Sequence, residues 1–176
     1  MKTKLKLYNS LVKSILLYNS ATWALTKTDE DKLDAFHRKQ LRKMLGIHYP
    51  VKITNESLYK KCNESPISIQ ILEARWKLFG HVLRRDPAIP ANKAMHFYFA
   101  ATSSEKYRGR PITTLPITLN NDLKKINERN IKLTSLRDLD ELTSIAHKRN
   151  NWRSLTRRIK NKAEAARSID HASARP

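Results

Sequence analysis

Apolar residues recur along most of this chain at three- and four-residue steps, the spacing that gathers them on one face of an α-helix. Between Lys4 and Trp23 the repeating positions are Leu5, Tyr8, Val12, Ile15, Leu16 and Trp23, while Lys2, Lys6 and Lys13 fall on another stripe. A second helix is expected from Thr28, with Asp31 completing a capping box, to a stop at Gly46. On a wheel of about 100° per residue, Leu33, Phe36, Leu41, Met44 and Leu45 share one arc. Lys32, Arg38, Lys39, Arg42 and Lys43 share the opposite arc, so one face packs and the other is densely basic. Thr54 caps a short helix through Cys62, and Ser65-Pro66 opens a fourth that runs from Ile67 to about Arg85. Its broad apolar arc, which includes Ile67, Ile71, Leu72, Trp76, Phe79 and Leu83, marks it as central to the core. Its polar stripe reads Gln70, Glu73, Lys77, His81, Arg84. Gly80 in mid-helix costs ~1 kcal/mol relative to Ala, so a close approach by another group is expected there.

Beyond Asp86-Pro87, residues 91–101 are compatible with a short helix or, given Phe97-Tyr98-Phe99, a strand. Residues 102–112 form the clearest loop and the expected main internal boundary. Thr114 and Pro116 open a helix to about Asn127, and Ser135 with Asp138 caps the last one. The apolar phase then shifts between Leu139/Leu142/Ala146 and Trp152/Leu155/Ile159, which predicts a break near residues 148–151. The fold class is all-α: an irregular array of about six to eight helices, open to division into two small helical subdomains joined by the basic loop. The expected segments are 1–50, 51–101, the loop 102–112, 113–163, and a disordered tail over 164–176. Only three Gly occur in 176 residues, too few to turn the many strands of an all-β fold.

Charge changes the picture more than composition does. The net charge is +19, and each quarter of the chain carries a share of it, so no single basic tail accounts for the excess. A diffuse positive charge suits a polyanion that touches several elements, nucleic acid above all. The alternative is a lysine-rich solvated surface. A lone cysteine, Cys62, excludes an intramolecular disulfide and a cysteine-based zinc site, and fits a reducing, intracellular compartment. No apolar run approaches the ~18 residues of a membrane span.

Catalytic patterns are missing. There is no Asp-Asp pair, phosphate loop, His-Glu-x-x-His or Gly-x-Ser-x-Gly, and the six histidines are scattered. Neither catalytic residue, metal site nor cofactor is expected. Asp29, Glu30, Asp31 and Asp34 read as first-turn acids that stabilise a helix dipole. The binding pattern is stronger: Arg38, Lys39, Arg42 and Lys43 can lay four cations against a phosphate backbone. Arg108-Gly109-Arg110-Pro111 is suited to phosphate or RNA, or is a plain linker. Lys77, His81 and Arg84 either extend the basic surface or pair with Glu73 and its neighbours. Tyr8, Tyr18, Trp23, Trp76 and Trp152 sit at helical spacing and are expected in the core.

The order of these landmarks resembles the carboxy-terminal region of non-LTR (LINE-like) retrotransposon reverse transcriptases. It is carried by Lys4-Leu-Lys-Leu-Tyr-Asn-Ser-Leu-Val-Lys-Ser-Ile-Leu-Leu-Tyr18, Ala21-Thr-Trp-Ala-Leu-Thr26 and Leu33-Asp-Ala-Phe-His-Arg-Lys-Gln-Leu-Arg-Lys-Met-Leu-Gly-Ile47. Ile53-Thr-Asn-Glu56, Leu78-Phe-Gly-His-Val-Leu-Arg84, Arg108-Gly-Arg-Pro-Ile-Thr-Thr114 and the stretch 146–153 with Trp152 follow in order, covering roughly residues 2–160. The resemblance implies a thumb in residues 1–50 that tracks a template–primer duplex, followed by a linker and tail that hold element RNA and target DNA. Lys6, Lys13, Arg38, Lys39, Arg42 and Lys43 would then face RNA, RNA–DNA hybrid or DNA. His81, Arg84, Arg108 and Arg110 match landmarks without an assigned role. The family's palm, with its catalytic aspartates, and its endonuclease have no counterpart in this sequence, so the chain is expected to bind without catalysing. Two alternatives stay open: a subunit that completes a polymerase with a separate palm, and a poorly folding remnant. Asn19 stands where the family pattern has Gly, and Lys148 where it has Asp.

Overall fold

The computed structural model describes residues 2–100, 114–125 and 131–173, and these are helical and irregular with no strand among them. The helices are α1 (Lys2–Leu7), α2 (Ser14–Leu16), α3 (Lys27–Leu45), α4 (Asn55–Cys62), α5 (Ile67–Leu83), α6 (Pro90–Ala100), α7 (Leu115–Lys125), α8 (Leu136–His147) and α9 (Arg149–Ser173). A π-helical segment, Tyr8–Lys13, joins α1 to α2. The all-α expectation is met. Two compact units divide between Ala74 and Arg75, inside α5; the loop 102–112, expected as a boundary, lies outside the described residues.

Local signals explain most helix ends. Ser135 and Asp138 form the expected capping box of α8, and the Thr54 hydroxyl accepts from Ser57 N at the start of α4. The box of α3 lies two residues earlier than the sequence pattern placed it: Thr26, in extended backbone, caps Asp29 N, and Thr28 is already helical. Both Thr26-x-x-Asp29 and Thr28-x-x-Asp31 satisfy the motif, and only backbone geometry separates them. Gly46 stops α3 with φ +65°, and Asn63 stops α4 with φ 51°. Asn19 also sits at φ 52°, so the place where glycine was expected is filled by a side chain that tolerates that region well. The α8–α9 break falls at Lys148, as the phase shift requires. Residues 90–100 are helical, which settles the helix-or-strand question there. Residues 164–173, expected to be disordered, continue α9; Ala163-Glu164-Ala165-Ala166 are strong helix formers.

In the first unit one apolar cluster is Leu41, Leu58 and Cys62, with Leu5, Met44, Leu45, Ile47, Ile53 and Tyr59 packed against it, and Ile67, Ile69, Ile71 and Leu72 of α5 are buried too. In the second unit Trp76, Phe79 and Trp152 form an aromatic cluster with ring centroids 5.8–6.1 Å apart. The indole of Trp152 donates to Trp76 O at 3.1 Å and lies directly against Gly80, where a Cβ would overlap the ring. That is the close approach expected from a mid-helix glycine. Arg75 of α5 donates through Nη1 to both carboxylate oxygens of Asp122 of α7, at 2.7 and 2.9 Å, a buried pair that a hydrophobic wheel does not reveal.

Candidate nucleic-acid interface

The basic face of α3 exists because the opposite face is fully committed. Asp34, His37 and Leu41 are buried at helical spacing. Asp34 is therefore not a first-turn acid in the manner of Asp29. Its carboxylate accepts from Ser68 N (3.0 Å) and Ser68 Oγ (2.8 Å), capping the start of α5. His37 Nδ1 meets Tyr8 Oη at 2.8 Å, and its ring is stacked between those of Tyr8 and Tyr59. Burial is the largest influence on His37 and lowers its pKa to about 4, against the attraction of Glu64. Burial likewise raises the Tyr8 hydroxyl to about 12. Phe36, expected in the core, is instead at the surface.

Glu64 closes this network. It accepts from Asn9 Nδ2 at 2.7 Å and pairs with Lys13 Nζ at 2.5 Å. Lys13 was expected beside Lys2 and Lys6 on an outward stripe, a reading that assumes 3.6 residues per turn. The π-helical segment changes the count: residues five apart come to the same side, so Tyr8 and Lys13 both turn inward. Val12 and Ile15, expected on the packed face, and Tyr18, expected in the core, are instead exposed alongside Leu7 and Leu11. Lys6 stays exposed.

With its inner face anchored, α3 turns Arg38, Lys39, Arg42 and Lys43 toward one open cleft of about 500 Å³. Ala35 and Ile47 give the cleft an apolar part, and His48 and Tyr49 complete its lining. Arg42 is held in place by a 2.7 Å hydrogen bond from Nη2 to Asn55 Oδ1. Among the described residues no acid lines the cleft. The arrangement can accept an extended, phosphate-bearing chain with cations along it and a ring at its edge. His48 and Tyr49 had no sequence pattern to single them out, because they follow Gly46, where helical periodicity ends.

In the second unit, His81 is exposed, with Nε2 accepting from Arg85 Nε at 3.2 Å, and Lys77 is exposed on the same helix. Arg84 is half-buried and donates to Ala146 O at 3.3 Å. Burial first, then the like charges of Arg149 and Arg153, lower its pKa, so three guanidinium groups share a neighbourhood. The spacing Arg149, Arg153, Arg157 would have revealed an exposed stripe on α9 opposite the buried Trp152, Leu155 and Ile159. Arg108 and Arg110 lie outside the described residues. Among the described residues no group of His, Cys, Asp and Glu is placed to hold a metal ion, and no helix is long and apolar enough to cross a membrane. Comparisons of the chain with protein-family models, curated proteins and solved structures return no match.

Proposed function

We propose that this chain is a helical nucleic-acid-binding segment whose principal contact is the cationic cleft of α3. The observation that carries the proposal is the convergence of Arg38, Lys39, Arg42 and Lys43 on one cleft with no acid in its described lining. Four cations on an ordinary solvated surface would be interspersed with acids and paired across helix turns, as Lys60 and Glu56 are in α4. A chain of charge +19 adds long-range attraction for a polyanion, and the resemblance to a reverse-transcriptase thumb names RNA, RNA–DNA hybrid or DNA as its class. In this reading the chain grips a phosphate backbone and leaves chemistry to a separate catalytic domain. The test is binding of single-stranded RNA and RNA–DNA hybrid across a salt series. Affinity should fall steeply as salt rises, because each phosphate contact releases counterions. Affinity that barely changes between low and moderate salt sinks the proposal.

A second reading, a subunit that completes a polymerase with a separate palm, is favoured by the exposed apolar residues Leu7, Leu11, Val12, Ile15 and Tyr18 of the first helical segment. Supplied with a palm domain, the chain should then increase primer extension. Equal extension with and without it rejects this reading.

A further inference from the structure

Tyr49 is 92% exposed, the highest value among the large hydrophobic side chains described, yet it lines the same cleft as the four cations. The backbone places it there: Gly46 ends α3 in the left-handed region, and Val51 N donates to His48 O at 2.9 Å, closing a turn with Tyr49 inside it. A phenol ring left in water is apolar area without a partner, and the cationic rim around it favours an anionic occupant. The flat face of a nucleobase, whose own backbone supplies the phosphates, satisfies both features at once. A duplex hides its base faces in the stack and can offer this cleft phosphates alone.

We infer that the α3 cleft takes an unpaired nucleotide, with Tyr49 stacking on the base while Arg38, Lys39, Arg42 and Lys43 hold flanking phosphates. This rests on the nucleic-acid reading above and narrows its ligand to single-stranded RNA or DNA, including an unpaired end of a hybrid. The test uses the full chain at one fixed salt concentration and three probes: a short single strand, an abasic strand of the same length, and a blunt duplex. Tyr49→Ala should weaken binding of the base-bearing strand by about 5- to 150-fold, the range for removal of one aromatic–base stack. It should change binding of the abasic strand and the duplex less than about twofold, since phosphate contacts alone set those affinities. Tyr49→Phe, which keeps the ring, should bind all three probes as the unsubstituted chain does. Equal weakening on all three probes, or none on any, overturns the stacking role while salt-dependent binding of the unsubstituted chain stands. If the unsubstituted chain binds no probe in a salt-dependent way, the broader reading fails first.

Discussion

Gly80 sets two helix rules against each other. Replacing it with alanine should gain ~1 kcal/mol in helix propensity. The added Cβ, however, would overlap the Trp152 indole, which is buried and fixed by its bond to Trp76 O. A ring wedged between Trp76 and Phe79 has no room to retreat, and overpacking a tight core costs about 1–3 kcal/mol. Gly80→Ala is therefore expected to destabilise the chain, seen as a lower midpoint in urea unfolding; a raised midpoint would contradict the packing described here. The glycine's role was legible in the sequence as a rule broken in mid-helix. Trp152 as its partner was not, because 72 residues separate them and periodicity carries no information over that distance.

At the scale of elements, the first unit is held by a polar network rather than by apolar stripes alone. Tyr8 from the π-helical segment, His37 from α3 and Glu64 just after α4 meet in its interior. His37 has a folded-state pKa of about 4, with Glu64 and Asp34 pulling it up and Lys13 and Arg38 pushing it down alongside burial. In the unfolded chain a histidine takes up its proton near pH 6.5, whereas the folded chain refuses it until about pH 4. Stability should be full above that higher value and fall by about 2 kcal/mol on going down to about pH 5. Urea unfolding at the two pH values checks this, and His37→Gln should flatten the difference; an unchanged slope would place the pH dependence elsewhere. The helical class, the α4 and α8 caps, the stop at Gly46 and the break at Lys148 were all legible, since each depends on residues close in sequence. The inward turn of Lys13 and the burial of Asp34 and His37 were not. The π-helical segment alters the residue count per turn, and a wheel sorts side chains by polarity, so it cannot show polar groups that satisfy one another inside.

For the whole molecule, charge was the clearest feature of the sequence and its placement the least legible. Of the residues expected to bind, Arg38, Lys39, Arg42 and Lys43 share one cleft, whereas Lys13 is spent on Glu64 and Arg84 donates to Ala146 O. The wheel grouped the four because α3 is regular from Lys27 to Leu45, and it missed Tyr49 because the cleft extends past the helix end. The central claim is that these four cations, rather than the diffuse charge of +19, make the principal contact. The direct measurement is the slope of log affinity against log salt for single-stranded RNA, in the unsubstituted chain and in a variant with all four changed to Gln. The slope should become shallower by about three, close to 0.7 for each phosphate that is no longer neutralised. A variant that keeps the original slope would show that the grip lies elsewhere on the chain.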